Sequence, residues 1–478
     1  MMHTLFWILP EVWLSTIIFL LLALDLKWGE EKHPLMGLIA IAGMLPLFPI
    51  LFLLAKEGGS HELFSGMFRV DTMALFFKGI FTVSGIVALV LAREFGKAVD
   101  RAHGEFYLLF LIAVLGMFLA ASSANFLMLF ISLELVAITL YVLVSYLHTN
   151  LQSLESGLKY LVLGSLSSAL FLYGIAFIYG TTGSLHFETI HAMSLRAQTL
   201  PAGLVFGILL VLAGILFKAA VVPFQIWAPD VYQGAPTPVT AFLSVGSKAL
   251  AFLVALRILQ ELFLPFSMAW NSVLVFASGA TILYGNLCAI PQTNIKRFMA
   301  YSSIGHAGYL LMGITAGVDI GSAAVSYYLL GYLFTNLVLF LVITAVTLQT
   351  GSDEIKSFAG LSKRSPFLAA AMFIGLLSLA GVPPMAGFFG KFLLVLSALS
   401  QGYLTLAIIG AVAVVISLYY YLRVVQTLYA DEPVDATPIK IGTTMKMSIV
   451  ACLIGIFVLG IWQYPFLAIS IRSIQHIF

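Results

Sequence analysis

The sequence predicts an all-α, polytopic membrane protein of about fourteen transmembrane helices, and three observations predict it. Hydrophobic residues make up 61% of the 478-residue chain and charged residues only 9%. Mean hydropathy is +1.06, and a soluble domain would carry about 25% charged residues. Apolar runs of about 20 residues, each long enough to cross about 30 Å of hydrocarbon as a helix, recur along the whole length. Most charges fall in the short loops between these runs, and no stretch is left for a soluble domain.

The spans begin near residues 5, 34, 72, 105, 125, 157, 201, 237, 268, 298, 322, 366, 403 and 443. The first, Leu5 to Leu24, has no basic leader or small-residue cleavage site, and reads as a retained helix. Spans four and five are separated only by Ser122, Ser123, Ala124 and Asn125. Spans seven (Pro201 to Gln233) and twelve (Pro366 to Ser400) would each reach about 50 Å if straight. Both carry proline midway, Pro223 in one and Pro383-Pro384 in the other, so both are expected to be broken. Such breaks survive in lipid only where protein or water meets the freed backbone groups.

These broken spans lie five apart, so they cross in opposite directions. Weak internal similarity at an offset of about 166 residues pairs KYLVLGSL (159–166) with SYYLLGYL (326–333), and Leu256-Arg257 with Leu422-Arg423. The chain therefore divides into three N-terminal helices (1–104), two inverted five-helix repeats (spans four to eight, 105–262, and nine to thirteen, 263–430) and a last helix (431–478), with function at the broken helices.

Basic loop residues set the orientation. One side collects Lys27, Lys32, Arg93, Lys97, Arg101, Lys296, Arg297, Lys356, Lys363, Arg364, Lys440 and Lys446, the other only Lys56, Arg69, Arg196 and Arg472. Both termini are expected to face outward. The net charge of +2 points to neither nucleic acid nor an acidic polymer as partner. Cys288 and Cys452 both lie in apolar spans, which argues against a disulfide framework or a cysteine-ligated cluster.

Within the spans remain Lys78, Lys159, Lys218, Lys248, Arg257, Lys391 and Arg423. Lys78, Arg257 and Arg423 lie near span ends, where a long side chain can snorkel to the headgroups. Glu11 has the same interfacial reading, and Lys159 stands between that reading and a role in transport. Lys218, Lys248 and Lys391 are flanked by apolar or small residues, and a lysine at the bilayer centre costs about 3 kcal/mol on insertion scales. Glu134 is the carboxylate in mid-span and the expected partner of Lys218. Whether that pair is structural or functional stays open at this point. Burial penalises the charged form of each group, which brings proton exchange within reach near neutral pH. Ser302, Ser303 and His306 on span ten are weaker relay candidates, and Tyr301 and Asp230 weaker still.

Three motifs carry a resemblance: PDVYQGAPTPVTAFLSVGSKALA (229–251), SLAGVPPMAGFFGKF (378–392) and IKRFMAYSSIGHAGY (295–309). Together they resemble the antiporter-like subunit N family of proton-pumping NADH-quinone oxidoreductase, respiratory complex I, over nearly the whole chain. The resemblance implies fourteen helices with broken helices seven and twelve. It implies a glutamate-lysine pair at Glu134 and Lys218, a central lysine at Lys248 and an outward-exchanging lysine at Lys391. The run PDVYQGAPTPV and a lysine rather than glutamate at 391 favour subunit N over subunits M and L or the Mrp sodium/proton antiporter subunits.

The chain has no Gly-rich dinucleotide motif after a strand, no CxxC and no paired histidines for haem. As a subunit of a translocating oxidoreductase it is expected to hold no cofactor itself. NADH, FMN, iron-sulfur clusters and quinone belong to partner subunits. The implied partners are antiporter-like subunit M, small subunits K and J, and the lipid bilayer, in a bacterial inner membrane. The alternatives are a Mrp-type sodium/proton antiporter subunit, the equivalent subunit of a ferredoxin- or NADPH-driven complex, and a structural membrane spacer.

Overall fold

A computed structural model describes residues 2–28, 33–98, 104–196, 201–317, 320–433 and 437–474. Of the residues used to orient the chain, Lys32 and Arg101 lie outside this set, as do the side chains of Lys97 and Arg196. Residue 1 and residues 475–478 also lie outside it.

In chain order the helices are α1 (Met2–Trp7), α2 (Leu9–Trp28), α3 (His33–Met44), α4 (Leu47–Glu57), α5 (Thr72–Ala98), α6 (Gly104–Ala121), α7 (Phe126–Val144), α8 (Leu151–Thr182), α9 (Phe187–Arg196), α10 (Ala202–Lys218) and α11 (Trp227–Gly234). They continue with α12 (Thr237–Leu262), α13 (Ser267–Ala289), α14 (Ile295–Thr315), α15 (Ile320–Thr350), α16 (Pro366–Ala380), α17 (Ala386–Ser400), α18 (Leu404–Tyr429), α19 (Thr443–Ile461) and α20 (Gln463–Ile474). One hairpin interrupts the helices: β1 (His61–Leu63) pairs antiparallel with β2 (Phe68–Val70), Glu62 facing Arg69.

Among the described residues eleven helices are long and apolar enough to cross a membrane, and Ala202–Lys218, Pro366–Ala380 and Ala386–Ser400 are shorter apolar helices. The helices at the centre, α12, α14 and α15, are buried nearly all round, whereas α8 and α18 turn apolar faces outward. That is the pattern of a bundle whose outer solvent is as apolar as its core.

Small residues let the helices close up. A Cβ at Gly285 on α13 would fall 2.2 Å from the Gly305 nitrogen of α14. A Cβ at Gly116 on α6 would likewise meet Val136 and the Ser132 carbonyl of α7.

Two corners are built alike. Asn125 caps α7 and bridges to His186, and Asn294 caps α14 and bridges to Glu354. Gly183 and Gly351 take φ of 68° and 67° after α8 and α15. In each corner a threonine hydroxyl, Thr182 or Thr350, donates to the carbonyl two residues on, and the Ser184 or Ser352 hydroxyl accepts the amide of His186 or Glu354 at 3.2 Å.

Both expected breaks are present, at 219–226 between α10 and α11 and at 381–385 between α16 and α17, each with a cis X-Pro bond. Protein groups satisfy the interrupted backbone. Trp227 Nε1 donates to the Phe217 carbonyl at 2.9 Å, and the Val222 amide donates to Thr281 Oγ1 at 3.0 Å. In the second break Lys391 Nζ donates to the Ala380 carbonyl at 3.3 Å.

Three expectations about charged side chains are corrected. Lys78 does not snorkel: it is fully buried, 2.6 Å from Glu11, with the rings of Phe68 and Phe118 beside it. Glu11, read as interfacial, is buried with it. Arg257 does not snorkel either. Its guanidinium grips Asp71 at 2.8 and 2.9 Å and donates to the Ala121 carbonyl. In both cases an opposite charge on a neighbouring element meets the cation inside the bundle, so the headgroups are not needed. Arg423 is exposed at its helix end.

Candidate functional site

Lys218 is the last residue of α10, and the carbonyl that Lys391 reaches is the last of α16. A helix C-terminus carries partial negative charge, so a broken helix offers a cation inside the membrane a partner that needs no carboxylate. Lys218 lines a cavity of about 20 Å³ with Tyr141, Tyr160 and Ser247, room for about one water molecule.

The Glu134–Lys218 pair expected from sequence is not a salt bridge. Among the described residues no carboxylate lies within 4.0 Å of Lys218 Nζ, and Glu134 Oε1 instead accepts the Ser168 hydroxyl of α8.

Lys248 sits directly after a stretch of π-helix, Leu243–Ser247, inside α12. Such a wide turn rotates the residues beyond it relative to a regular helix, and is frequent at functional sites. Lys248 is buried, and its Nζ donates to both the hydroxyl (2.5 Å) and the carbonyl of Ser303 on α14. The Ser303 hydroxyl also lies 3.3 Å from the Tyr232 hydroxyl of α11. One turn along α14, His306 is held at both ring nitrogens, Nδ1 at 2.5 Å from the Tyr328 hydroxyl and Nε2 at 3.1 Å from the Tyr421 hydroxyl. Tyr421 bonds in turn to Ser302 at 2.6 Å.

Tyr332 stands between these groups, its ring 5.9 Å from Lys248 Nζ and 5.4 Å from the His306 ring. Lys391 Nζ lies 5.1 Å from the Tyr309 ring, which in turn lies 6.4 Å from the His306 ring. The structure thus brings Lys248, Ser302, Ser303, His306 and Lys391 into one buried polar row along α14, while Glu134 and Lys218 form a separate group on α7, α8 and α10.

Lys159 is not in this row. It is half exposed in the first third of α8, bonded to Glu155 at 2.7 Å and to Asp230 at 2.8 Å, and Arg297 reaches the other Asp230 oxygen at 2.6 Å. Tyr301 packs beside Arg297 and Tyr284 instead. Lys296, taken from sequence as a loop charge, is buried, 2.8 Å from Asp353.

The tyrosines 232, 328, 332 and 421 were missed from sequence. A signal existed, since a tyrosine within a span must still find a partner for its hydroxyl, and Tyr328 and Tyr332 stand four apart on one face of α15.

The fold and site define a polytopic subunit of the antiporter-like class, with paired broken helices and buried lysines between them. Residues 122–417 match the family described as NADH:quinone oxidoreductase/Mrp antiporter, transmembrane. The chain is 40% identical over 455 residues to NADH-quinone oxidoreductase subunit N of Moorella thermoacetica, covering 95% of this chain and 94% of that one. A chain of respiratory complex I from Thermus thermophilus with bound aureothin superposes with a TM-score of 0.81 at 32% identity, covering 96% of this chain and 98% of that chain. A chain of the Mrp complex from Dietzia superposes with a TM-score of 0.89 at 21% identity, covering 99% and 98%, a likeness of fold. The chain belongs to the NADH-quinone oxidoreductase subunit N family.

Proposed function

We propose that this multi-pass membrane protein translocates protons as a subunit of an NADH-quinone oxidoreductase, through two inverted five-helix units (105–262 and 263–430). The observation that carries the reading is the buried hydrogen-bonded row from Tyr232 through Ser303 to Lys248, with His306, Tyr328, Tyr421 and Ser302 beside it. Hydroxyls and an imidazole can each accept one proton while giving up another, which is what a relay needs. Lys218 at the end of α10 and Lys391 against the last carbonyl of α16 carry the charge between transfers, favoured by the partial negative charge of those helix ends.

Glu134 and Lys218 form the first station, Lys248 the centre and Lys391 the station that exchanges with the outer side. Lys159 contributes at the inner surface. Ser247 links the first two stations, because it lines the Lys218 cavity and immediately precedes Lys248. A change in charge at Glu134, driven by quinone reduction elsewhere, alters how well Lys218 holds its proton, and the proton moves on.

NADH, FMN, iron-sulfur clusters and quinone reside in partner subunits, with antiporter-like subunit M and small subunits K and J as membrane neighbours. The membrane is the bacterial inner membrane, with both termini outward. The 40% identity to a subunit N against 21% to a Mrp chain favours this reading over an independent sodium/proton antiporter.

The test replaces Lys248 or Lys391 with Ala in the assembled complex. Proton pumping is expected to fall to background while NADH oxidation by an artificial acceptor is retained. Normal pumping in both variants would overturn the relay.

A further inference from the structure

A cavity of about 230 Å³ opens at the basic-rich end of the second repeat, between α13, α14 and α18 and the segment at 355–356. Its rim carries Lys356, Arg423 and Asp431, with Gln292, Thr293 and Thr427 as further polar groups and Ile290 and Val424 on the apolar wall. Nearby cations are engaged: Lys363 pairs with Glu432 at 2.8 Å, and Arg364 donates to the Thr437 and Ser357 carbonyls. Lys356 and Arg423 differ from them. Among the described residues neither has a carboxylate within 4.0 Å, and Arg423 makes only a 3.5 Å contact to the Ile290 carbonyl.

A second, independent feature leads to the same place. Leu404, Ile408, Val412, Val415, Tyr419 and Leu422 are 44–69% exposed and follow one another at intervals of three or four residues. They form a continuous apolar stripe along α18, and it ends at Arg423. The stripe is about 27 Å long at 1.5 Å per residue, roughly the hydrocarbon thickness of a bilayer. An apolar track capped by two cations at the level of the basic loops matches an acyl chain below a phosphate.

We propose that Arg423 and Lys356 bind the phosphate headgroup of an anionic phospholipid whose acyl chains lie along the outer face of α18. The same cavity abuts Phe298 and Tyr420, next to Tyr421 of the relay, and could instead be read as a water-filled mouth for protons. Its charge decides against that. Two cations and one carboxylate leave a net positive rim that repels a hydrated proton and attracts an anion, and the fork of Arg423 suits phosphate oxygens. The inference is independent of the proton relay.

The experiment uses membranes containing the assembled complex and a photoactivatable phosphatidylglycerol, with cross-links mapped by mass spectrometry and normalised to assembled protein. Labelling is expected at residues 290–293 and 420–431, about tenfold lower in Arg423→Gln with Lys356→Gln, largely kept in Arg423→Lys, and unchanged in Lys440→Gln, a control for charge at an exposed position on the same side. A photoactivatable phosphatidylcholine should label this region weakly. Equal labelling in the double variant, equal labelling by phosphatidylcholine, or an equal fall in Lys440→Gln would each overturn the site. Displacement by millimolar inorganic phosphate would make free phosphate the ligand and overturn the lipid. Exclusive cross-linking of this face of α18 to a neighbouring subunit, without lipid, would show that protein covers it and overturn the proposal as well.

Discussion

Lys248 Nζ lies 2.5 Å from the Ser303 hydroxyl, and the same nitrogen donates to the Ser303 carbonyl. One residue of α14 thus holds the central lysine through both its side chain and its backbone. The hydroxyl is shared with Tyr232, so the lysine, the serine and the short half-helix α11 form one polar unit.

Removing that hydroxyl separates the two contacts. Ser303→Ala leaves the carbonyl and deletes one charge-assisted hydrogen bond, worth about 2 kcal/mol. Proton pumping per NADH in the assembled complex should drop severalfold, less than in Lys248→Ala, with artificial-acceptor activity unchanged. Ser303→Thr, which keeps the hydroxyl, should restore most of it. Equal pumping in Ser303→Ala and the parent would remove Ser303 from the path.

His306 is clamped at both nitrogens, so its two partners should act as a unit. Tyr421→Phe and Tyr328→Phe each remove one hydroxyl from the imidazole. The double variant should be no worse than the more damaging single one, because a relay interrupted at one side of the ring is already interrupted. Simple multiplication of the two effects on pumping would indicate independent roles.

The Glu11–Lys78 pair makes a prediction about stability. Lys78→Ala leaves Glu11 buried without its cation and should destabilise the assembled complex by about 3–5 kcal/mol, whereas Lys78→Met with Glu11→Leu should recover most of the loss. Thermal inactivation of detergent-purified complex measures both. A single variant as stable as the parent would mean that Glu11 takes up a proton at no cost.

Asp71, in the turn ahead of α5, gives a pH dependence. Burial pushes its carboxyl up, but Arg257 and Arg69 beside it prevail and hold it down at about 2. The folded value lies below the unfolded one. Its contribution to stability is therefore fully present above about pH 4 and is lost as pH falls toward about 2. Melting temperature should decline through that window in the parent, and Asp71→Asn should be less stable at pH 7 and flatter below pH 4. A parent curve that is flat there would contradict the pairing.

The broken helices were legible in the sequence because proline acts locally: Pro223 and Pro383-Pro384 interrupt hydrogen bonds wherever the span packs. The lysines 218, 248 and 391 were legible because an uncompensated cation among apolar residues is costly. Lys78 and Arg257 were misread for the converse reason. Their partners, Glu11 and Asp71, are 67 and 186 residues away in the chain, and nothing local separates a cation that snorkels from one that meets a distant carboxylate. Glu134 shows the same limit, since its hydrogen-bond donor is Ser168 rather than the lysine that opposite charge suggested.

Sequence alone determined that the chain lives in lipid, where its helices break, and that Lys218, Lys248 and Lys391 sit within the spans, because each follows from composition or from covalent geometry within a few residues. Tertiary structure decided which of those groups meet. The central spans are apolar on every side, so periodicity marks no inward face. The direction in which Lys248, His306 or Tyr421 points is set only when α12, α14, α15 and α18 pack together.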